Sequence, residues 1–101
     1  MYDTLPAHVE QDLNSGFTMT DVDDGYQRCK KLSDTKFLFR CDVNGEVYEE
    51  EIDTDDIDHE KAIDGYYDSV SEVHATYEDS ALMIIAECHF EASCPMQLPG
   101  E

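Results

Sequence analysis

The sequence predicts an α+β fold, in which an antiparallel β-sheet of four to six strands is packed by one or two short helices. The chain has 101 residues, which are enough for one domain and too few for two. Six Tyr and four Phe supply the material for a core. Several segments also alternate apolar and polar residues with the period of a strand. We therefore expect a single acidic domain over residues 1–101, with residues 95–101 as a flexible tail.

The first elements follow from capping residues and from alternation. Asp3 or Thr4 can cap a short helix that ends before Gly16. Residues 17–22 alternate apolar and polar side chains and predict a strand. Residues 26–32 are a weaker strand candidate, because their alternation is less regular.

The clearest predicted element is a β-hairpin centred on Asn44 and Gly45. Both residues tolerate positive φ, as a two-residue hairpin turn requires. The implied register assigns one face to the core, and this face carries Phe37, Phe39, Cys41, Val43, Tyr48 and Ile52. The opposite face should contact water, and it carries Leu38, Arg40, Asp42, Val47, Glu49 and Glu51. In this register Arg40 lies directly opposite Glu49.

The second half of the chain predicts one helix and two further strands. The helix should begin at Asp53 or Thr54 and run to about Asp64, ending at Gly65 or continuing to Asp68. Residues 72–77 alternate and predict a strand. Residues 81–86 form a continuous apolar run that is typical of a central strand covered on both faces, and this strand should extend through Cys88 and Phe90.

The charge balance excludes several classes of partner. The chain has 25 acidic and 6 basic residues, with a net charge of −19. Proteins that bind nucleic acid directly neutralise phosphates with Lys and Arg, so we expect no direct contact with nucleic acid. An anionic membrane surface would repel this chain as well. Neither a signal peptide nor an apolar span is evident, so the sequence predicts a cytoplasmic protein.

No metal, cofactor or catalytic motif emerges from the residue spacing. The candidate zinc ligands are Cys29, Cys41, Cys88, His89 and Cys94. Structural zinc sites usually bring their ligands in closely spaced pairs such as Cys-x2-Cys, and these residues do not have that spacing. The acidic runs fail the spacing of a calcium-binding EF-hand loop. There is also no nucleophile elbow and no glycine-rich phosphate loop. We therefore predict a protein that is not an enzyme and carries no cofactor.

The negative charge is concentrated in one part of the chain, residues 41–60, which we call the acidic stretch. Ten of its twenty residues are acidic and none is Lys or Arg. Ordinary charged surfaces intersperse both signs, and most acidic tails are disordered, whereas this stretch falls on predicted secondary structure. Same-face residues of a strand repeat every ~6.7 Å, about twice the ~3.4 Å advance per nucleotide along one DNA strand. A row formed by Glu49, Glu51 and Asp53 could thus imitate phosphates.

In size, acidity, α+β patterning and lack of a catalytic motif, the chain resembles the DNA-mimic inhibitors of phages and mobile elements. These include acidic anti-CRISPR proteins, anti-restriction proteins and the uracil-DNA glycosylase inhibitor. The resemblance covers the whole chain but matches no family motif residue by residue. It implies a protein that blocks a basic nucleic-acid-binding enzyme or complex, such as a CRISPR effector, a restriction enzyme or a DNA-repair enzyme.

We expect the partner-binding surface to consist of acidic residues with nearby tyrosines as anchors. The candidates are Asp42, Glu46, Glu49, Glu51, Asp53, Asp55, Asp56, Asp58, Glu60, Asp64, Tyr66 and Tyr67. Three alternatives stay open. The chain could be a halophilic domain that is acidic for solubility, a small regulatory module that binds a basic protein such as a toxin, or an enzyme of unrecognised type.

Overall fold

A computed structural model describes residues 5–21, 25–43 and 45–93 and has an α+β fold, as predicted. Four antiparallel strands form one sheet in the order β1-β2-β3-β4. The strands are β1 (Thr18–Asp21), β2 (Gln27–Lys31), β3 (Lys36–Val43) and β4 (Glu46–Asp53). The helices are α1 (Ala7–Asn14), α2 (His59–Ile63), α3 (Val70–Tyr77) and α4 (Ala81–Ser93), with 3₁₀ turns at Thr54–Asp56 and Glu78–Ser80.

The predicted strands of the first half and the hairpin register are confirmed. Phe37 pairs with Ile52, Phe39 with Glu50, and Arg40 with Glu49. Gly45 has a φ of +86°, which favours glycine in a tight turn, whereas Asn44 lies outside the described residues. The predicted caps Asp3 and Thr4 and the tail at residues 95–101 also lie outside them.

Helix α4 covers the core-facing side of the sheet. The Phe39 and Phe90 rings stack with their centroids 5.1 Å apart, and neither residue is exposed to solvent. Phe37, Cys41 and Ile52 complete this buried layer. A second cluster lies on the far side of α4, where Ala81, Ile85 and Cys88 contact residues of α2 and α3.

The two strands predicted for the second half are wrong, because both segments are helices. Residues 72–77 belong to α3, which Ser69 caps by accepting the N–H of Glu72 at 3.1 Å, while the Glu72 carboxylate accepts the N–H of Asp68. The apolar run at residues 81–86 begins α4. A helix that is apolar on most sides is buried on most sides, and α4 lies between the sheet and the other helices. Residues 5–21, 25–43 and 45–93 therefore contain four helices instead of the predicted one or two.

The predicted helix from Asp53 or Thr54 to Asp64 is divided in two. Asp53 accepts the N–H of Asp55 at 3.0 Å and caps the 3₁₀ turn. Asp58 then accepts the N–H groups of Glu60 and Lys61 and starts α2 as a new helix. These caps compete with continuous helical hydrogen bonding, which explains the interruption.

The outward face of the hairpin is only partly open to water, contrary to the prediction. Helix α1 packs across it, and Arg28 on β2 is completely buried there. Arg40 keeps 28% of its side-chain surface and Asp42 keeps 19%. The sheet is therefore covered by α4 on one side and partly by α1 on the other.

Candidate functional site

The predicted acidic residues form two adjoining regions of the surface. We call the part on β3 and β4 the strand region, and it contains Asp42, Glu46, Glu49, Glu51 and Asp53. We call the 3₁₀ turn, α2 and its C-cap the turn region, and it contains Asp55, Asp56, Asp58, Glu60 and Asp64. The acidic stretch therefore folds into ordered secondary structure, as predicted.

A network of ion pairs neutralises much of the strand region. Arg28 and Arg40 are directly opposite each other on β2 and β3, and Asp12 of α1 bridges them. Arg28 Nε donates to Asp12 Oδ2 at 2.7 Å, and Arg40 Nη1 donates to Asp12 Oδ1 at 2.6 Å. Arg28 Nη1 also donates to Asp42 Oδ1 at 3.3 Å, and Arg40 Nε donates to Glu49 Oε1 at 2.8 Å. Asp42 and Glu49 are therefore held by internal arginines.

The remaining strand carboxylates are less available as a phosphate-like row than their spacing suggested. Glu51 lies 3.9 Å from Lys36 Nζ, in an exposed pair. Asp53 uses its carboxylate to cap the 3₁₀ turn. Within the described residues, Glu46 alone of the strand region has neither an ion pair nor a capping role.

The acids of the turn region differ from those of the strand region in lacking salt bridges within the described part of the chain. Asp55, Asp56, Glu60 and Asp64 are exposed, and none forms a salt bridge with any described residue. Asp58 is exposed as well, although it caps α2. Lys61 is the only Lys or Arg of this region.

The turn region is held rigidly on the sheet. Thr54 is fully buried, and both its N–H and its hydroxyl donate to the carbonyl of Thr35, at 2.8 and 3.0 Å. The His59 ring lies 2.7 Å from the carbonyl of Thr54 and ties α2 to the 3₁₀ turn. Because the backbone is fixed at these points, the carboxylates stand on a defined scaffold instead of a loose loop.

The two candidate tyrosines have different surroundings. Tyr66 is 41% exposed, so its ring can contact a partner. Tyr67 is half-buried, and its hydroxyl lies 2.9 Å from that of Tyr77. The hydrogen bond with Tyr77 and burial raise the pKa of Tyr67 above its usual range. Tyr67 is thus part of the packing between the α2–α3 connection and α3.

A groove lies between β4, the 3₁₀ turn and α4, and we call it the Glu50–His89 groove. One part has a volume of about 310 Å³ and is lined by Glu50, Asp56, Ile57 and His89 among others. An adjoining part of about 240 Å³ shares Asp56, Ile57 and His89 and continues to Ala92. Glu50 and His89 were missed as site residues, because one lies on the core-facing side of β4 and the other on a segment predicted as a strand.

A second group of carboxylates lies at the other edge of the sheet. The Gln27 side chain is buried, and its Nε2 donates to Glu87 Oε2 at 3.2 Å and to Glu91 Oε2 at 3.4 Å. The pKa of Glu87 is raised to about 7, mainly by burial and further by the nearby charges of Glu91 and Asp21. The hydrogen bond from Gln27 acts in the opposite direction and lowers this pKa. This group lies outside the acidic stretch and was not predicted.

The described cysteines are unsuited to nucleophilic chemistry. Cys29, Cys41 and Cys88 are buried free thiols, and Cys94 lies outside the described residues. Burial raises the pKa of Cys29 and of Cys88 to about 12, so their thiolate forms are scarce at neutral pH. Among the residues with described positions, no group of three or more His, Cys, Asp or Glu side chains is arranged to hold a metal ion.

Comparison with known proteins adds no relative to this picture. No family model, curated protein or solved structure matches the chain. In the part of the chain that the structure describes, no helix is long and apolar enough to cross a membrane.

Proposed function

We propose that this protein is an inhibitor that binds the basic nucleic-acid-binding surface of another protein and excludes nucleic acid from it. The target class is a nuclease or a CRISPR effector complex, whose channels are positively charged to hold nucleic-acid backbones. The observation that carries the proposal is that the exposed acids of the turn region form no salt bridge with any described residue, while the backbone beneath them is fixed by Thr54 and His59.

The charge distribution supports binding through the turn region more than through the strand region. Internal arginines hold Asp42 and Glu49, so a partner would have to break those pairs to use them. Asp55, Asp56 and Glu60 require no such exchange. Charges that are exposed and unpaired accelerate association with a surface of opposite sign and fix the orientation of the encounter.

The test is affinity capture of a partner from a lysate of a plausible host, followed by competition with nucleic acid. We expect the captured protein to bind DNA or RNA on its own, to lose that binding when this protein is added, and to be released by rising salt. Its nuclease or DNA-binding activity should fall in proportion to the bound fraction. The inhibitor itself should give no gel shift with duplex DNA at low salt, because its net charge is −19.

Two outcomes would overturn the proposal. A tight basic partner without any nucleic-acid function would instead identify a regulatory module of the toxin-binding kind. A chain that is unfolded at low salt, folds only at molar salt and captures no partner would identify a halophilic domain.

A further inference from the structure

We propose that the Glu50–His89 groove is an anchoring pocket that receives one arginine side chain of the partner protein. The inference rests on the proposed function, since it names the chemistry by which the acidic surface would hold a basic partner. It adds a shaped contact to what would otherwise be attraction between two charged surfaces.

The groove has the mixed character that a long cationic side chain requires. Ile57 lines both parts of the groove, and Ala62 and Ala92 extend the apolar lining along α2 and α4. An arginine can bury its methylene stem against such a surface while its guanidinium reaches polar groups. Carboxylates at the wall, Glu50 and Asp56 among them, supply these groups.

The charge around the groove is not balanced internally. Lys36 stands 3.9 Å from Glu51, so that pair neutralises one end. The Asp53 and Asp58 carboxylates accept backbone N–H groups. Lys61 also lines the groove but forms no salt bridge with a described residue, so five lining carboxylates face two lysines there. Among the described residues, Glu50 and Asp56 are the lining carboxylates that neither pair with a Lys or Arg nor cap a backbone N–H.

Glu50 gives an independent indication that a donor belongs in this groove. Its Oε1 atom is buried and has no hydrogen-bond partner. Its Oε2 atom lies 3.8 Å from His89 Nε2, which is longer than a hydrogen bond. A buried acceptor without a donor is rare in folded proteins. The Glu50 side chain as a whole is 31% exposed, so a small rotation of its carboxylate brings this acceptor to a donor bound in the groove.

A guanidinium fits this arrangement better than a metal ion or an ammonium group. Among the described His, Cys, Asp and Glu side chains, including those of the groove, no group of three or more is arranged to hold a metal ion. A planar guanidinium carries five N–H donors that can address separate carboxylates, whereas an ammonium acts as a compact point charge. The occupant is therefore an arginine of a protein partner.

The test uses NMR titration of the full chain with three small probes: N-acetyl-arginine methylamide, its lysine counterpart, and its citrulline counterpart. Citrulline keeps the shape of arginine without the charge. We expect saturable shifts at Ile57, His89 and Ala92 with the arginine probe, weaker shifts with the lysine probe, and none with citrulline.

Two variants and one control isolate the groove. Glu50→Gln should weaken binding of the arginine probe about fivefold or more by removing a charged acceptor. Ala92→Phe should obstruct the groove while leaving every carboxylate in place. Glu10→Gln, an equal loss of charge at an exposed position of α1 that does not line the groove, should leave the affinity unchanged. Equal shifts with citrulline, shifts spread evenly over all surface carboxylates, or no saturation would each overturn the inference.

The outcome separates this inference from the proposed function. If a captured partner is inhibited equally well by wild type, Glu50→Gln and Ala92→Phe, the groove is not the anchor although the inhibitor function stands. If the arginine probe binds in the groove and no nucleic-acid-binding partner is inhibited, the groove stands and the proposed function fails.

Discussion

The strand region and the turn region are both densely acidic in sequence, yet their surroundings in the fold differ. On the strands, Arg28 and Arg40 extend from neighbouring positions and hold Asp42 and Glu49. In the turn region, the exposed carboxylates have no such partners among the described residues. The density of charge in the sequence therefore overstates the strand region as a binding surface. Its paired acids, Asp42 and Glu49, contribute to the stability of the fold instead.

The largest expected effect comes from removing the cation at the centre of the strand network. Arg28 is fully buried and donates to Asp12 and Asp42. Arg28→Met should lower the free energy of unfolding by about 3–5 kcal/mol, because breaking a buried ion pair leaves carboxylates uncompensated. Urea denaturation measures this loss. Lys31→Met, at an exposed position of the same strand, is the control and should cost less than about 0.5 kcal/mol. Equal losses in the two variants would mean that the network contributes nothing.

A comparable effect is expected at the core-facing side of the same hairpin. Phe39 is completely buried and stacks on Phe90. Phe39→Ala should cost about 3–5 kcal/mol, which threatens the stability of a domain this small. A loss below about half a kcal/mol in thermal or urea unfolding would show that the hairpin register is wrong, since a one-residue slip exposes that face.

The carboxylates outside the acidic stretch should make stability depend on pH. The folded state holds the proton of Glu87 up to about pH 7, while the unfolded chain releases it near its ordinary pKa of 4.5. The contribution of this group is therefore fully present below pH 4.5 and is lost as the pH rises to about 7. Glu87→Gln should remove this loss. As the pH rises from 4.5 to about 7, the melting temperature of the variant should therefore increase relative to that of wild type. Parallel melting curves from pH 4.5 to 8 would contradict the burial of Glu87.

The smallest effect on stability is expected in the turn region. Neutralising Asp55, Asp56 and Glu60 to Asn, Asn and Gln should leave the fold intact and raise the unfolding free energy by about 1 kcal/mol or less at low salt, because repulsion falls. The gain in unfolding free energy should disappear in 1 M salt, where the Debye length is about 3 Å and repulsion between exposed charges is screened. A large loss of stability, measured by the same urea titration, would mean that these acids have a structural role.

How much of this could be predicted differs between the two halves of the chain. The Asn44–Gly45 turn and the alternation of Phe37, Phe39 and Ile52 fix the hairpin locally, so the register follows from sequence. The run at residues 81–86 has no periodicity that separates a buried strand from a buried helix. The choice between strand and helix for this run depends on tertiary packing, because α4 is buried between the sheet and the helices α2 and α3.

The candidate site could also be predicted from the sequence only in part. Its carboxylates were identifiable because charge is a property of composition. Their neutralisation was not, because Asp12 reaches Arg28 and Arg40 only after α1 folds across the sheet. The Glu50–His89 groove likewise joins a strand residue to a helix residue far away in sequence. Contacts of this kind depend on tertiary packing.

We propose that the turn region, and not the total charge, binds the partner. This proposal is tested most directly by measuring the affinity of a captured nucleic-acid-binding target for wild type, for the variant neutralised at Asp55, Asp56 and Glu60, and for a control neutralised at Glu10, Asp34 and Asp79. The control residues are exposed and form no salt bridge with any described residue. Asp12 is unsuitable for this control, since it bridges two arginines. We expect the turn variant to bind about tenfold more weakly or worse, mainly through slower association, and the control to bind like wild type. Equal weakening in both variants would mean that only net charge matters, and no weakening in either would mean that the turn region is not the binding surface.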